Sequence, residues 1–337
     1  MLRMKPGILV TRAIFPEVLA RLRETFDVAD NQADAVHPPE ALAERLQGRV
    51  GLLANAADAI NADLIARVPT LRAVANMAVG YNNLDLPAMT RAGILATNTP
   101  DILTETTADF GWALLMAAAR RVPESERWLR AGHWKRWTYD MFLGAEVHGS
   151  TLGILGMGRI GQALARRASG FSMRVIYHNR SRLSPEIERD TRATYVGKDE
   201  LLAQADHLVL VLPYSSESHH AIGAAELARM KPTATLVNLA RGGIVDDAAL
   251  ARALAEKRLF AAGLDVYEGE PAVHPALLEA EPVALTPHIA SATHGTRLGM
   301  ANLAADNLIA ALGFGPRAGQ PPNLLNPEAL SVRRASA

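Results

Sequence analysis

Along the first hundred residues, short aliphatic and β-branched runs alternate with segments whose apolar positions recur at helical spacing. This is the pattern of a parallel sheet covered by helices. Residues 8–10, 50–54, 74–75 and 94–97 are the expected strands. Residues 16–24 open on Pro16, a first-turn proline, and carry Val18, Leu19 and Leu22 at helical spacing, so they read as a crossover helix. Residues 104–119 then predict a long, mostly apolar helix that connects one α/β unit to the next. A second alternating series starts at Thr151, with strands at 151–155, 174–177, 207–212, 235–239, 261–264 and 283–285 and helices near 159–169 and 246–256. A helical segment at 295–312 follows, and Gly313, Pro316, Gly319, Pro321 and Pro322 mark a tail. The stretch 121–150 shows no clear period and holds Trp128, Trp134, Trp137 and Tyr139.

Two such series predict an α/β protein of two domains, each with a parallel sheet, around a cleft. The expected division is 1–99 with 290–337 for one domain and 100–289 for the other. A chain of 337 residues that is 49% apolar is long enough to bury two cores. Thirty-five Lys and Arg balance thirty-five Asp and Glu, which leaves no net charge to hold a polyanion, so no nucleic-acid partner is expected. The absence of cysteine removes disulfides, Cys-ligated zinc and thiol nucleophiles, and suits a reducing compartment. The most helix-like apolar run, 112–119, falls far short of the roughly 20 residues of a membrane span, and no signal-peptide pattern opens the chain. A cytoplasmic protein without a membrane partner is expected.

The glycine triplet Gly156-Met157-Gly158-Arg159-Ile160-Gly161 lies between the apolar run 152–155 and a helix-period stretch. In that position glycines permit a tight turn, close approach of backbone to a pyrophosphate and tight helix packing, with the helix N-terminus facing the anion. The second series is therefore read as a Rossmann-like dinucleotide-binding domain, and the first as a flavodoxin-like substrate domain. A Rossmann unit usually ends its second strand on an acid that accepts bonds from the ribose 2′-hydroxyl. Here the chain reads His178-Asn179-Arg180-Ser181-Arg182 instead. Two guanidiniums and a hydroxyl suit a 2′-phosphate, so NADP (NADPH) is the expected coenzyme and NAD the weaker alternative. The bland alternative is a solvated basic loop.

Three further clusters follow apolar strands: NLARGGIVD with Arg241, GLDVYEGEP with Glu270, and TPHIASAT with His288. Ligands of open parallel sheets bind at the carboxyl ends of the strands, so these three side chains can converge beside one nicotinamide. His219 and His220 are adjacent, but neighbours on a short loop are expected to diverge, so they read as structural or cofactor-side residues.

With NMAVGYNNLDL, TADFGWALLMAAARR, TLGILGMGRIG and MKPTATLVNLARGGIVD, in order from about residue 50 to 312, the chain resembles the D-isomer-specific 2-hydroxyacid dehydrogenases, most of all their glyoxylate/hydroxypyruvate reductase branch. The resemblance implies that Arg241 holds the substrate carboxylate and carbonyl, that His288 is the acid/base and that Glu270 orients it. It implies substrate contacts at Leu53, Val79, Gly80, Ser291 and Trp137, and coenzyme contacts at Thr107, Leu212, Pro213 and Asp265 besides the glycine loop. Two tryptophans and a tyrosine within residues 132–149 make a large amphipathic surface, so a homodimer with this region in the interface is expected, rings that fill an interdomain core being the bland alternative; in the resembling reductases the tryptophan matching Trp137 reaches into the partner's active site. NAD-dependent members carry an acid where this chain has Asn179, formate dehydrogenases have a glutamine in place of Glu270, and nothing after residue 312 forms the regulatory domain of many phosphoglycerate dehydrogenases. Corepressors on the same scaffold keep the Arg, Glu and His, so a dinucleotide-sensing binding protein is the alternative, as is a dehydrogenase for a larger substrate.

Chemistry agrees with the resemblance. Reducing a small 2-oxo acid requires a fixed cation for the carboxylate, a proton for the developing alkoxide and a hydride donor on one face. Arginine's planar fork, an imidazolium favoured by a neighbouring carboxylate, and NADPH supply these, and no metal is needed.

Overall fold

The protein, described by a computed structural model over residues 4–335, divides into two compact units. One runs up to Leu103 and resumes at Thr293, and the other is Thr104–Ala292. These changes of unit coincide with the starts of the helices Thr104–Ala119 and His294–Ala311, a few residues beyond the expected 99 and 289.

The first unit is built on five parallel strands, β1 (Gly7–Val10), β2 (Asp27–Ala29), β3 (Gly51–Ala54), β4 (Ala73–Asn76) and β5 (Leu95–Thr97), in the order β2-β1-β3-β4-β5. This is the flavodoxin-like order, whose direction of winding reverses between β1 and β3. Strand β2 escaped the sequence pattern because it is a three-residue edge strand with no fully buried position. On one face Val18, Leu19 and Leu22 of the helix Pro16–Thr25 share a core with Ala301, Ala304 and Leu308 of the helix His294–Ala311. Leu64, Ile65 and Met89 from the helices Ala62–Arg67 and Leu86–Arg91 fill the other.

That double cover corrects one expectation. Leu53 was expected to line the substrate pocket, but it is 0% exposed and packs in the core with Val10, Ala75 and Ala304. In a central strand of a parallel sheet both faces are interior, so no side chain of β3 is free to face solvent. Nor does the expected tail trail away. Leu324 bridges Thr97 in antiparallel fashion, and Leu325 N–H donates to Ala96 O at 2.8 Å. Asn326 accepts from Ala96 N–H at 2.9 Å and donates to Ile94 O at 2.9 Å. The segment covers the open edge of β5, which would otherwise present unpaired backbone groups.

The second unit has seven parallel strands, β6 (Thr151–Leu155), β7 (Arg174–His178), β8 (Ala193–Tyr195), β9 (His207–Leu210), β10 (Thr235–Asn238), β11 (Ala261–Leu264) and β12 (Val283–Leu285), in the order β12-β11-β10-β9-β6-β7-β8. This is the Rossmann order extended by one strand, with its switch point between β6 and β9. The helix Thr104–Ala119 belongs wholly to this unit, where Trp112 Nε1–H donates to Leu164 O at 3.2 Å. Within the irregular stretch 121–150, Val122–Arg130 is helical. None of its residues is buried, so its apolar positions contribute nothing to the core of this unit.

Candidate active site

At the switch point, the chain turns out of β6 through Gly156, whose φ of 101° only glycine adopts readily. A Cβ there would stand 2.7 Å from Leu212 N, so the glycine loop lies directly against the segment that leaves β9 and carries Leu212 and Pro213. A Cβ on Gly161 would meet Gly156 O at 2.5 Å, which is the close helix–strand approach expected of the third glycine. Gly158, by contrast, has no heavy atom within 4 Å of its Cβ position. It caps the helix Arg159–Ala168, so open space lies over a helix N-terminus where backbone N–H groups and the macrodipole favour an anion. These residues fit a dinucleotide pyrophosphate.

The loop after β7 explains how the missing acid is replaced. Asn179 Oδ1 accepts from Met157 N–H at 2.6 Å, which ties this loop back to the glycine turn. The Arg180 side chain is 89% exposed, with Glu217 at 3.6 Å. Arg182 is engaged more firmly, donating from Nε and Nη2 to both oxygens of Glu188 at 2.8 and 2.7 Å. The Tyr177 hydroxyl also donates to Glu188, at 2.8 Å. Of the two guanidiniums, Arg180 is therefore the more available to a phosphate. Thr107 is buried in the helix Thr104–Ala119, and Ser181 is exposed.

Arg241, Glu270 and His288 follow β10, β11 and β12, three adjacent strands. His288 Nδ1 lies 2.8 Å from Glu270 Oε2, while Glu270 Oε1 accepts from Tyr267 N–H at 2.9 Å. Burial pushes the Glu270 carboxyl upward, but the His288 bond, the Tyr267 N–H and the charges of His288 and Arg241 outweigh it, and the net effect holds it below the usual range. Arg241 is half-buried, and its Nη1 donates to Ala240 O at 2.8 Å. Burial lowers its pKa from the usual arginine value, with the Glu270 charge opposing. A guanidinium nonetheless stays charged.

Two residues hold this corner in shape. Asp265, expected at the coenzyme, is 1% exposed and accepts from Ile289 N–H, Ala290 N–H and Thr286 Oγ1–H at 2.8, 2.8 and 2.7 Å. The turn bearing His288 is thus pinned on both sides of the histidine. His288 itself sits at φ 55°, a left-handed conformation that costs a non-glycine residue about 1–2 kcal/mol and persists only where its surroundings enforce it. Tyr267 escaped sequence reasoning although it stands inside GLDVYEGEP. Its hydroxyl bonds Thr286 O at 2.9 Å and accepts from Thr286 N–H at 3.0 Å, so it joins the loops after β11 and β12. Burial, with the charges of Asp265, Glu270 and Asp247, pushes its pKa up to about 12, so it stays a donor. Ser291 is half-buried three residues after His288.

In the first unit, the backbone at Val79 and Gly80 is anchored by buried amides. Asn98 Nδ2–H donates to Val79 O at 2.8 Å and Asn76 Nδ2–H to Gly80 O at 3.1 Å. Asn307 Nδ2–H in turn donates to Asn98 O at 3.0 Å. Because C=O and N–H of a trans peptide point oppositely, holding these carbonyls fixes the direction of the next N–H groups. Trp137 is 65% exposed and meets Tyr139 edge-on at 4.9 Å. Among the described residues, no helix is long and apolar enough to cross a membrane.

A backbone cradle at the switch point of a sheet wound in this order is how dehydrogenases hold a nicotinamide dinucleotide, and a carboxylate-bonded histidine at the ends of the same sheet adds proton transfer. The family described as D-isomer specific 2-hydroxyacid dehydrogenase, NAD binding domain, matches residues 112–290. The chain is 46% identical over 336 residues to the glyoxylate reductase of Thermococcus onnurineus, spanning 98% of this chain and 99% of that one. It is 47% identical over 338 residues to the glyoxylate reductase of Aeropyrum pernix, spanning 98% of each. A solved structure of the NADPH-dependent glyoxylate/hydroxypyruvate reductase of Sinorhizobium meliloti, in complex with NADP and malonate, aligns with a TM-score of 0.85 at 34% identity, covering 96% of this chain and 98% of that one. The chain belongs to the D-isomer-specific 2-hydroxyacid dehydrogenases, in their glyoxylate reductase branch, and is an NAD(P)-dependent 2-oxo acid reductase.

Proposed function

We propose that the protein reduces glyoxylate, hydroxypyruvate or both to the corresponding D-2-hydroxy acid, with NADPH as the preferred coenzyme. The observation that carries this reading is the 2.8 Å bond between His288 Nδ1 and Glu270, which fixes the ring and leaves Nε2 for a substrate oxygen. The bound dinucleotide supplies a hydride to the carbonyl carbon. Arg241 holds the substrate carboxylate with its planar fork, and His288 gives its proton to the oxygen as negative charge develops there. Glu270 keeps the imidazole oriented and balances its charge. The Ser291 hydroxyl completes the hold on the substrate within this unit.

NADPH preference rests on residues 179–182. Asn179 brings no negative charge against a 2′-phosphate, and Arg180, with Ser181, offers charge-assisted bonds. The exposed Trp134, Trp137, Tyr139 and Leu143 support a homodimer through residues 132–149, since such rings are enriched in interface cores. Following NADPH absorbance after glyoxylate or hydroxypyruvate is added to the purified protein tests the reading. Absence of turnover with both acids and both coenzymes would reject it, and light scattering that gives a monomer at micromolar concentration would reject the dimer.

A further inference from the structure

His219 and His220 do not diverge as adjacent side chains on a loop were expected to. Their rings stack with centroids 3.9 Å apart and planes 22° from parallel. The reason is the backbone: His220 has φ 50°, the left-handed region, which turns its side chain to the same side as that of its neighbour. A non-glycine residue is held there only at a cost, and the chain provides the hold. His220 N–H donates to Gly243 O at 2.7 Å, Ile222 N–H to Ile244 O at 3.0 Å, and the preceding turn is closed by Ser218 Oγ–H donating to Pro213 O at 3.0 Å. Gly243 also makes room, since a Cβ on it would fall 3.3 Å from His219 Nδ1.

A carboxylate completes the group. Glu268 places both oxygens 3.1 Å from His220 Nε2, and a ligating atom from each of His219, His220 and Glu268 lies within 4.8 Å of the others. Glu268 is fixed through its own N–H, which donates to Asp247 Oδ2 at 3.0 Å. None of the three is needed for the reduction described above.

We propose that His219, His220 and Glu268 form a binding site for a first-row transition dication of the zinc type. Two imidazoles and one carboxylate are the donor set of Zn²⁺, Co²⁺ and Ni²⁺ rather than of Mg²⁺ or Ca²⁺, which take mainly oxygen. Zinc bonds of roughly 2.0–2.2 Å in a tetrahedron put neighbouring donors about 3.3 Å apart, close to the separation that His220 and Glu268 already hold. His219 is exposed; its Nδ1, now 3.2 Å from the Tyr214 hydroxyl, exchanges that contact for the ion as the ring turns out of the stack, and water takes the fourth position. The ion ties the segment after β9 to the turn that leads into Glu270. It therefore braces the corner that carries the acid/base pair from outside, without entering the chemistry.

The test is made on full-length protein freed of metal by chelation and dialysis. Isothermal titration with Zn²⁺ is expected to show one site per chain, Co²⁺ to give the visible absorption of a tetrahedral nitrogen–oxygen complex, and Mg²⁺ to give neither. Zn²⁺ at a hundredfold excess over its dissociation constant should raise the melting temperature by about 5 °C. His219→Gln and Glu268→Gln should each weaken Zn²⁺ binding at least tenfold and reduce that rise, while both variants keep the metal-free melting temperature within about 2 °C. Wild-type protein that binds neither Zn²⁺ nor Co²⁺ overturns the proposal. So does Zn²⁺ binding of undiminished affinity in the double variant, which would put the ion at other histidines.

Discussion

The turn bearing His288 and the loop following β7 both lie at the carboxyl ends of the second sheet, yet they are held in opposite ways. The His288 turn is fastened by Asp265 on either side of the histidine and by Tyr267 from the neighbouring loop. The β7 loop is tied at Asn179, but beyond it Arg180 reaches into solvent and Arg182 is spent on Glu188. Proton transfer tolerates little misplacement, so its donor is built in advance, whereas a phosphate can gather a mobile guanidinium when it arrives. Substitutions in the first region should accordingly strike turnover, and those in the second only coenzyme choice.

The largest effect is expected from His288→Ala, which should lower kcat by about 10²–10⁴ and leave NADPH affinity nearly unchanged. Near-wild-type turnover would move the proton donor elsewhere. Asp265→Ala should come next, because it strands the N–H groups of Ile289 and Ala290, while the Thr286 hydroxyl keeps Leu264 O at 3.3 Å. With about 1–3 kcal/mol for each unsatisfied buried group, a stability loss of roughly 2 kcal/mol or more is expected in urea titration, together with a fall in kcat. A rise confined to the dissociation constant of NADPH would instead give Asp265 the coenzyme contact.

Glu270→Gln separates the two regions by pH. The carboxyl is held below its usual range, so the stability it contributes is present above the ordinary glutamate pKa and lost only as pH falls through the lower folded value. In the variant that contribution is gone at neutral pH, and kcat should fall because the ring loses the carboxylate that orients it. An unchanged kcat would leave Glu270 a packing role. In the β7 loop, Arg180→Ala should raise KM for NADPH about tenfold and that for NADH less than twofold. The smallest change belongs to Arg182→Ala: its partner is already Glu188 at an exposed site, so KM for NADPH should shift less than threefold. An Arg182 effect larger than that of Arg180 would mean that the Glu188 pair opens to the phosphate.

What was legible in the sequence follows the same division. The glycine turn, Arg241, Glu270 and His288 stand out in the sequence because each comes after an apolar strand, and the structure has them beyond the ends of β6, β10, β11 and β12. Leu53 came from the resemblance alone, and a resemblance does not say which way a side chain faces; with both faces of β3 covered, this one faces core. The stack of His219 on His220 depends on one left-handed residue, and the partnership of Arg182 with Glu188 on the direction of a helix start. Neither leaves a trace in spacing. Strands β2 and β8, three residues each, are too short to carry a periodicity.

The strip from Asn323 to Asn326 that closes the edge of β5 sets an order of assembly. Synthesis delivers β1 to β5 first, but the helix His294–Ala311 and this strip leave the ribosome only after every strand of the second sheet has been made. The earlier-born sheet must wait with one edge open and one apolar face covered only in part, by the helix Pro16–Thr25, while Thr104–Ala292 already has all its strands. The later half of the chain is thus expected to fold before the beginning has finished, contrary to the usual N-to-C progression. During that interval β5 is the segment most exposed to pairing with another nascent copy.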